Sequence, residues 1–168
     1  HEVLSPKGCN ASQIRDIYRR LSSSQSGKRF FTNEWEVLRD REYLWIQKKG
    51  SSQLIPELII EEIERTPSFV IPRDKHIACL DADKLNHPLT IRKWERGDKF
   101  IPLGMNGKKK VSDYLTDKKF SLFQKENQYV VCSGEDIVWL VNERTDHRYR
   151  ITDSTQRILL IQIKKDGQ

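Results

Sequence analysis

From Lys28 onward the apolar residues come in short, often β-branched runs, each closed off by glycine, proline or a polar turn. That punctuation reads as strands rather than long helices. "KRFFTNEWEVLRDREYLWIQ" predicts three short strands with turns near Thr32–Asn33 and Asp40–Arg41. "LIPELIIEEIE" and "HIACLDADKL" predict two more, separated by "RTPSFVIPRD", where two prolines argue for an edge or loop. "PLTIRKW" follows, then "QYVVCSGEDIVWLV" as a hairpin turning at Ser133–Asp136, and "RILLIQIKK" as a closing strand. One helix precedes them all, over Asn10–Ser24. Asn10 and Gln13 fit a capping box, and Ile14, Ile17, Tyr18 and Leu21 share a face. That face is expected to pack on a sheet carrying Trp35, Leu38 and Trp45, with an Asp16–Arg20 pair on the other side and Arg15 and Arg19 exposed. The fold class is α+β: a small helix-plus-antiparallel-sheet unit over residues 1–49, a linker with edge strands over 50–75, and a larger strand-rich domain over 76–168.

Charge is uneven. Residues 1–50 carry ten basic and six acidic side chains, residues 51–90 four and seven, and residues 91–119 nine and four. Two basic islands flanking an acidic stretch favour a polyanionic partner, chiefly nucleic acid. Cys9, Cys79 and Cys132 are odd in number and share no ligand spacing, which reads as reduced thiols in a cytoplasmic protein. No apolar run approaches the ~20 residues that span a bilayer, so no membrane is expected as a partner. The opening "HEVLSPKG" lacks methionine and reads as a fragment or a processed chain.

Catalytic patterns are missing. "SGK" at 26–28 fails as a P-loop, because position 22 is Ser where glycine is needed and Arg29 follows the lysine. His76, His87 and His147 have no ligand spacing, and Asp81 with Asp83 reads as a strand end entering a turn. Neither a catalytic residue nor a metal or cofactor site is expected in this chain. The informative segment is "WERGDKFIPLGMNGKKKVSDYLTDKKF", residues 94–120. Here Lys108, Lys109 and Lys110 are expected at the start of a helix running through Lys118, with Val111, Tyr114 and Leu115 as its apolar stripe. Cations at a helix N-terminus oppose its dipole, at ~0.3–1 kcal/mol each, and a bound anion would relieve them. Arg92, Lys93, Arg96 and Lys99 precede the loop. Trp94 and Phe100 fit core packing better than base stacking.

"IRKWERGDKFIPLGMNGKKKVSDYLTDKKF" followed by "SGEDIVWLVNERTDHRYRIT" resembles the C-terminal domain of bacterial tRNA(Ile)-lysidine synthetases. The family's Gly-Asp-Lys-Phe turn falls at Gly97–Phe100, its Pro-x-Gly-Met at Pro102–Met105, and its lysine-led helix at Lys109–Lys119. Its strand tryptophan is Trp139 and its closing basic stretch Arg144–Arg150. The likeness covers residues 76–163, and residues 1–48 are similar to the end of the family's middle domain. The resemblance implies a layered C-terminal domain containing a β-sandwich, akin to a domain of the phenylalanyl-tRNA synthetase β subunit. It implies a region that grips tRNA(Ile) at its acceptor stem, for ATP-dependent attachment of lysine to the wobble cytidine. That chemistry would belong to an N-terminal ATP-pyrophosphatase domain with an SGGxDS loop, using ATP with magnesium and lysine. No such loop occurs here, so this chain alone is not expected to be an enzyme, whereas the full-length ligase would be. Its partners would be tRNA(Ile) and its own N-terminal domain, and a homodimer stays open. The tRNA-binding set is then Arg92, Arg96, Lys99, Lys108, Lys109, Lys110, Lys118, Lys119 and Arg144. The alternative is a basic protein-interaction or interdomain docking module without RNA contact.

Overall fold

The computed structural model describes residues 4–21, 27–40, 43–50 and 55–164, apart from the side chains of Arg20 and Leu21. The expected roles of Leu21 and Arg20, and the ends of the 10–24 helix and of the "SGK" stretch, lie outside the described residues. The chain forms two compact units: His1–Leu54 with Phe120–Glu126, and Ile55–Lys119 with Asn127–Gln168.

In the first unit, α1 (Ala11–Leu21) is followed by β1 (Lys28–Phe31), β2 (Trp35–Asp40) and β3 (Tyr43–Lys48), an antiparallel sheet in that order. The capping box is made: Asn10 Oδ1 accepts the Gln13 amide at 2.8 Å, and Gln13 Oε1 accepts the Asn10 amide at 3.0 Å. Ile14 and Ile17 are buried among Leu4, Cys9, Phe30 and Val37, with Leu44 and Ile46 packed alongside. Each such isoleucine adds ~1.5–3 kcal/mol. Tyr18 departs from the expectation at 54% exposure; a three-stranded sheet covers only the narrow stripe centred on Ile14 and Ile17. The sheet face also differs. Val37, Leu44 and Ile46 meet the helix, whereas Leu38 and its cross-strand partner Trp45 point the other way. That second face receives α3 (Leu122–Glu126): the Arg29 guanidinium lies 5.3 Å from the Phe123 ring, and the Asp40 carboxylate accepts the Leu122 amide.

The second unit holds two antiparallel sheets. One has the order β4 (Leu58–Glu64), β12 (Arg157–Ile163), β5 (Ile77–Asp81). The 50–75 segment thus contains an edge strand, paired with β12 from Leu58–Ile163 to Glu64–Arg157. The other sheet runs β11 (Arg144–Thr145), β10 (Asp136–Leu140), β9 (Tyr129–Ser133), β6 (Leu89–Lys93). Ala78, Leu80, Leu159 and Ile161 from the first sheet share one core with Val131, Val138 and Trp139 from the second, which is the expected sandwich. The predicted hairpin turns through Gly134 at φ +59°, a left-handed conformation natural to glycine. A register shift in β10 between Ile137 and Trp139 re-aims the strand there. Asp81 ends β5 as expected: its carboxylate accepts the Asp83 amide and the Thr155 hydroxyl. All three cysteines are free, and burial raises the Cys79 thiol to about 11.

Candidate nucleic-acid interface

Residues 94–118 are built around a two-strand ladder, β7 (Lys99–Phe100) against β8 (Lys109–Lys110), leading into α2 (Val111–Asp117). The helix therefore starts at Val111, later than expected, because the ladder claims the preceding backbone. Lys110 is its cap residue without a side-chain cap bond, and the Val111 amide donates to the Asp98 carbonyl at 2.9 Å. Phe100 is fully buried, edge-on to Tyr114 at 5.4 Å. Val111 and Leu115 are fully buried too. This core fixes the ladder, and Phe100 is unavailable for base stacking.

The loop is fastened at both ends. Arg92 forks onto Asp98 at 2.8 and 2.9 Å, and Asp98 also accepts the Glu95 amide. Burial pushes the Asp98 carboxyl up, but Arg92 and the Glu95 amide outweigh it and hold it below the usual range. Farther on, Asp146, with no exposure, accepts the Ile101 amide at 2.8 Å and the Arg148 amide at 2.9 Å. The Leu103 amide donates to the Thr145 carbonyl, and the Gly104 amide to His147 Nδ1 at 3.1 Å. Gly104, at φ +89°, makes that turn possible. Arg148 bridges Asp146 and Asp136, and the Tyr149 hydroxyl donates to Asp136 at 3.0 Å. Burial and that carboxylate raise Tyr149 to about 12. Asp136 is itself held low: burial opposes this, but Arg148, Tyr149 and the Lys108 charge prevail. The two halves of the sequence motif, 97–105 and 144–150, are thus bound to one another.

This scaffold sorts the nine predicted residues. Arg92 is committed to Asp98, and Lys109 reaches Asp117 across one face of α2. Both belong to the scaffold more than to a free surface. Lys99 stands directly opposite Lys110 in the ladder, and Lys108 immediately precedes β8. Side chains so placed lie ~4.5–5.5 Å apart at Cβ, and like charges there repel. Lys99, Lys108, Lys110 and Arg96 are exposed and make no hydrogen bond or ion pair among the described residues. Lys118 lies over the Tyr114 ring at 5.8 Å, as Lys109 does at 6.0 Å. Lys119 follows at φ +58°. Arg144 is exposed beside the Pro102–Leu103 turn, through Thr145. Sequence reasoning missed Asp146 and His147 as anchors; the only signal was an aspartate two residues before Arg148, the spacing of a side-chain-capped turn.

The second unit is thus a layered α+β domain, a two-sheet sandwich that carries a basic, anchored ladder. Residues 1–49 match the family model described as TilS substrate binding domain, and residues 89–162 that described as TilS substrate C-terminal domain. A tRNA(Ile)-lysidine synthase of Bacteroides thetaiotaomicron is 53% identical over 165 residues, covering 96% of this chain and 38% of the relative. One from Parabacteroides distasonis is 42% identical over 175 residues, covering 96% of this chain and 40% of the relative. A crystal structure of the TilS C-terminal domain shares the fold, with a TM-score of 0.56 and 20% identity over 66% of this chain and 85% of that one. The chain belongs to the tRNA(Ile)-lysidine synthase family and corresponds to its C-terminal region. It spans about two fifths of the length of these two relatives.

Proposed function

We propose that this region grips tRNA(Ile) by its phosphate backbone and holds it in register for lysine attachment to the wobble cytidine. The ATP-dependent chemistry, with magnesium and lysine, belongs to the remainder of such a protein. Among the described residues no group of three His, Cys, Asp or Glu side chains could hold a metal. The residues here supply grip and orientation.

The observation that carries this reading is the Lys99–Lys110 pair. Two like charges are set face to face, with Lys108 two residues before Lys110, on a scaffold in which Arg92, Lys109 and Arg148 have carboxylate partners. Phosphates would relieve that repulsion. A-form RNA offers phosphates readily while its bases lie deep in a narrow major groove, so such contacts give affinity and register rather than sequence reading. Arg15 and Arg19, exposed on α1, are proposed as a second contact.

The test is salt dependence. Each phosphate neutralised contributes a log–log slope of roughly −0.7 to −0.9. The triple substitution Lys99→Ala, Lys108→Ala, Lys110→Ala is expected to flatten the slope for tRNA by about two to three units, with the fold retained. An unchanged slope in a folded variant sinks the phosphate grip and favours a protein-docking role for the basic face.

A further inference from the structure

Next to the ladder the second unit contains a cleft of about 310 Å³. Ile77, Cys79 and the otherwise buried Trp139 give it an apolar floor, and Leu103 forms part of its wall. Arg73 and Arg144 stand at its margin, exposed and without a hydrogen bond or ion pair among the described residues. The carboxylates nearby are engaged: Glu143 holds Lys75 at 2.9 Å, and Asp74 accepts the His76 amide.

The volume lies at the small end of ligand pockets, ~300–1,000 Å³. It has room for one planar ring system with its sugar, and too little for a helix or a paired strand. An apolar floor beneath unpaired guanidinium groups suits a group that is flat and apolar on its faces and anionic at one end. A nucleotide is such a group. Unpaired nucleotides are the part of RNA that proteins splay out and bury, whereas paired ones stay stacked. Leu103 is also part of the basic loop, tied to the cleft wall through Thr145. Leu103 lies in the loop that joins Lys99–Phe100 to Lys109–Lys110, so the lysine ladder and the cleft wall share one segment of chain.

We propose that this cleft receives a single unpaired nucleotide of the RNA whose backbone the lysine ladder holds. The inference rests on the RNA-binding reading above, and one experiment separates the two. Two short RNA hairpins are compared on the intact chain, one blunt-ended and one ending in a single unpaired fluorescent adenine analogue. The overhang is expected to bind about tenfold tighter, since burying and stacking one base contributes a gain of that order, and its emission is expected to change on binding. Arg73→Ala should abolish most of that advantage. Equal affinity for the two hairpins, with binding still salt-sensitive, overturns the cleft proposal alone; so does an advantage that survives Arg73→Ala. Absence of salt-sensitive binding to either hairpin overturns the lysine grip and the cleft together.

Discussion

Arg148, in the basic stretch 144–150, and the facing pair Lys99 and Lys110, in the basic stretch 96–110, are handled in opposite ways. In the first stretch Arg148 is enclosed by two carboxylates, one of them the fully buried Asp146, and its guanidinium and backbone amide are both used. In the second, Lys99 and Lys110 are set against one another, and no carboxylate among the described residues forms an ion pair with either. The contrast separates cations that hold a fold from cations that a fold holds out. Substituting the former should cost stability and affect binding only through it, whereas substituting the latter should cost binding and leave stability intact.

The largest effect expected is at Asp146. Asp146→Ala leaves the Ile101 and Arg148 amides without their acceptor and the partly buried Arg148 guanidinium with Asp136 alone, a loss of about 3–5 kcal/mol. Chemical denaturation measures it, and a loss below about 1 kcal/mol would mean that the motif halves are held together some other way. A smaller effect concerns acid. The folded carboxyls of Asp98 and Asp136 are depressed, so their contribution is fully present above the ordinary carboxylate range of about 3.9. It is lost as pH falls through the lower folded values, where the unfolded chain binds more protons. The acid limb of a stability–pH curve should therefore flatten in Asp136→Asn, and an unaltered limb would remove Asp136 from the account. The smallest effect is at the ladder. Lys110→Ala should leave stability equal or raise it by about 0.2–1 kcal/mol, through relief of the cross-strand repulsion. A clear drop in melting temperature would place Lys110 with the scaffold instead.

Most strand positions were legible, because β5, β6, β9, β10 and β12 are apolar runs ended by recognisable turns. The sheet face used in the first unit was not. Val37 and Leu38 are both apolar, so alternation along β2 gives no parity, and only the packed helix decides it. The basic segment was legible as a whole and not residue by residue. Arg92 and Lys109 look like their neighbours in sequence, and their partners Asp98 and Asp117 lie six and eight positions away, beyond any short-range pairing rule. The helix start was misplaced because a two-residue ladder leaves almost no pattern of its own.

The short helix α3 has a bearing on how such a protein can be cut. Its residues sit in the chain between β8 and β9, both in the second unit, yet Phe120–Glu126 closes the face of the first sheet that carries Arg29 and Leu38. The boundary at residue 49 that separates the family segments in sequence is therefore not a boundary of the folded object. A piece ending there lacks a wall supplied by chain synthesised some seventy residues later. During translation the first sheet must wait, half covered, for that wall to emerge from the ribosome.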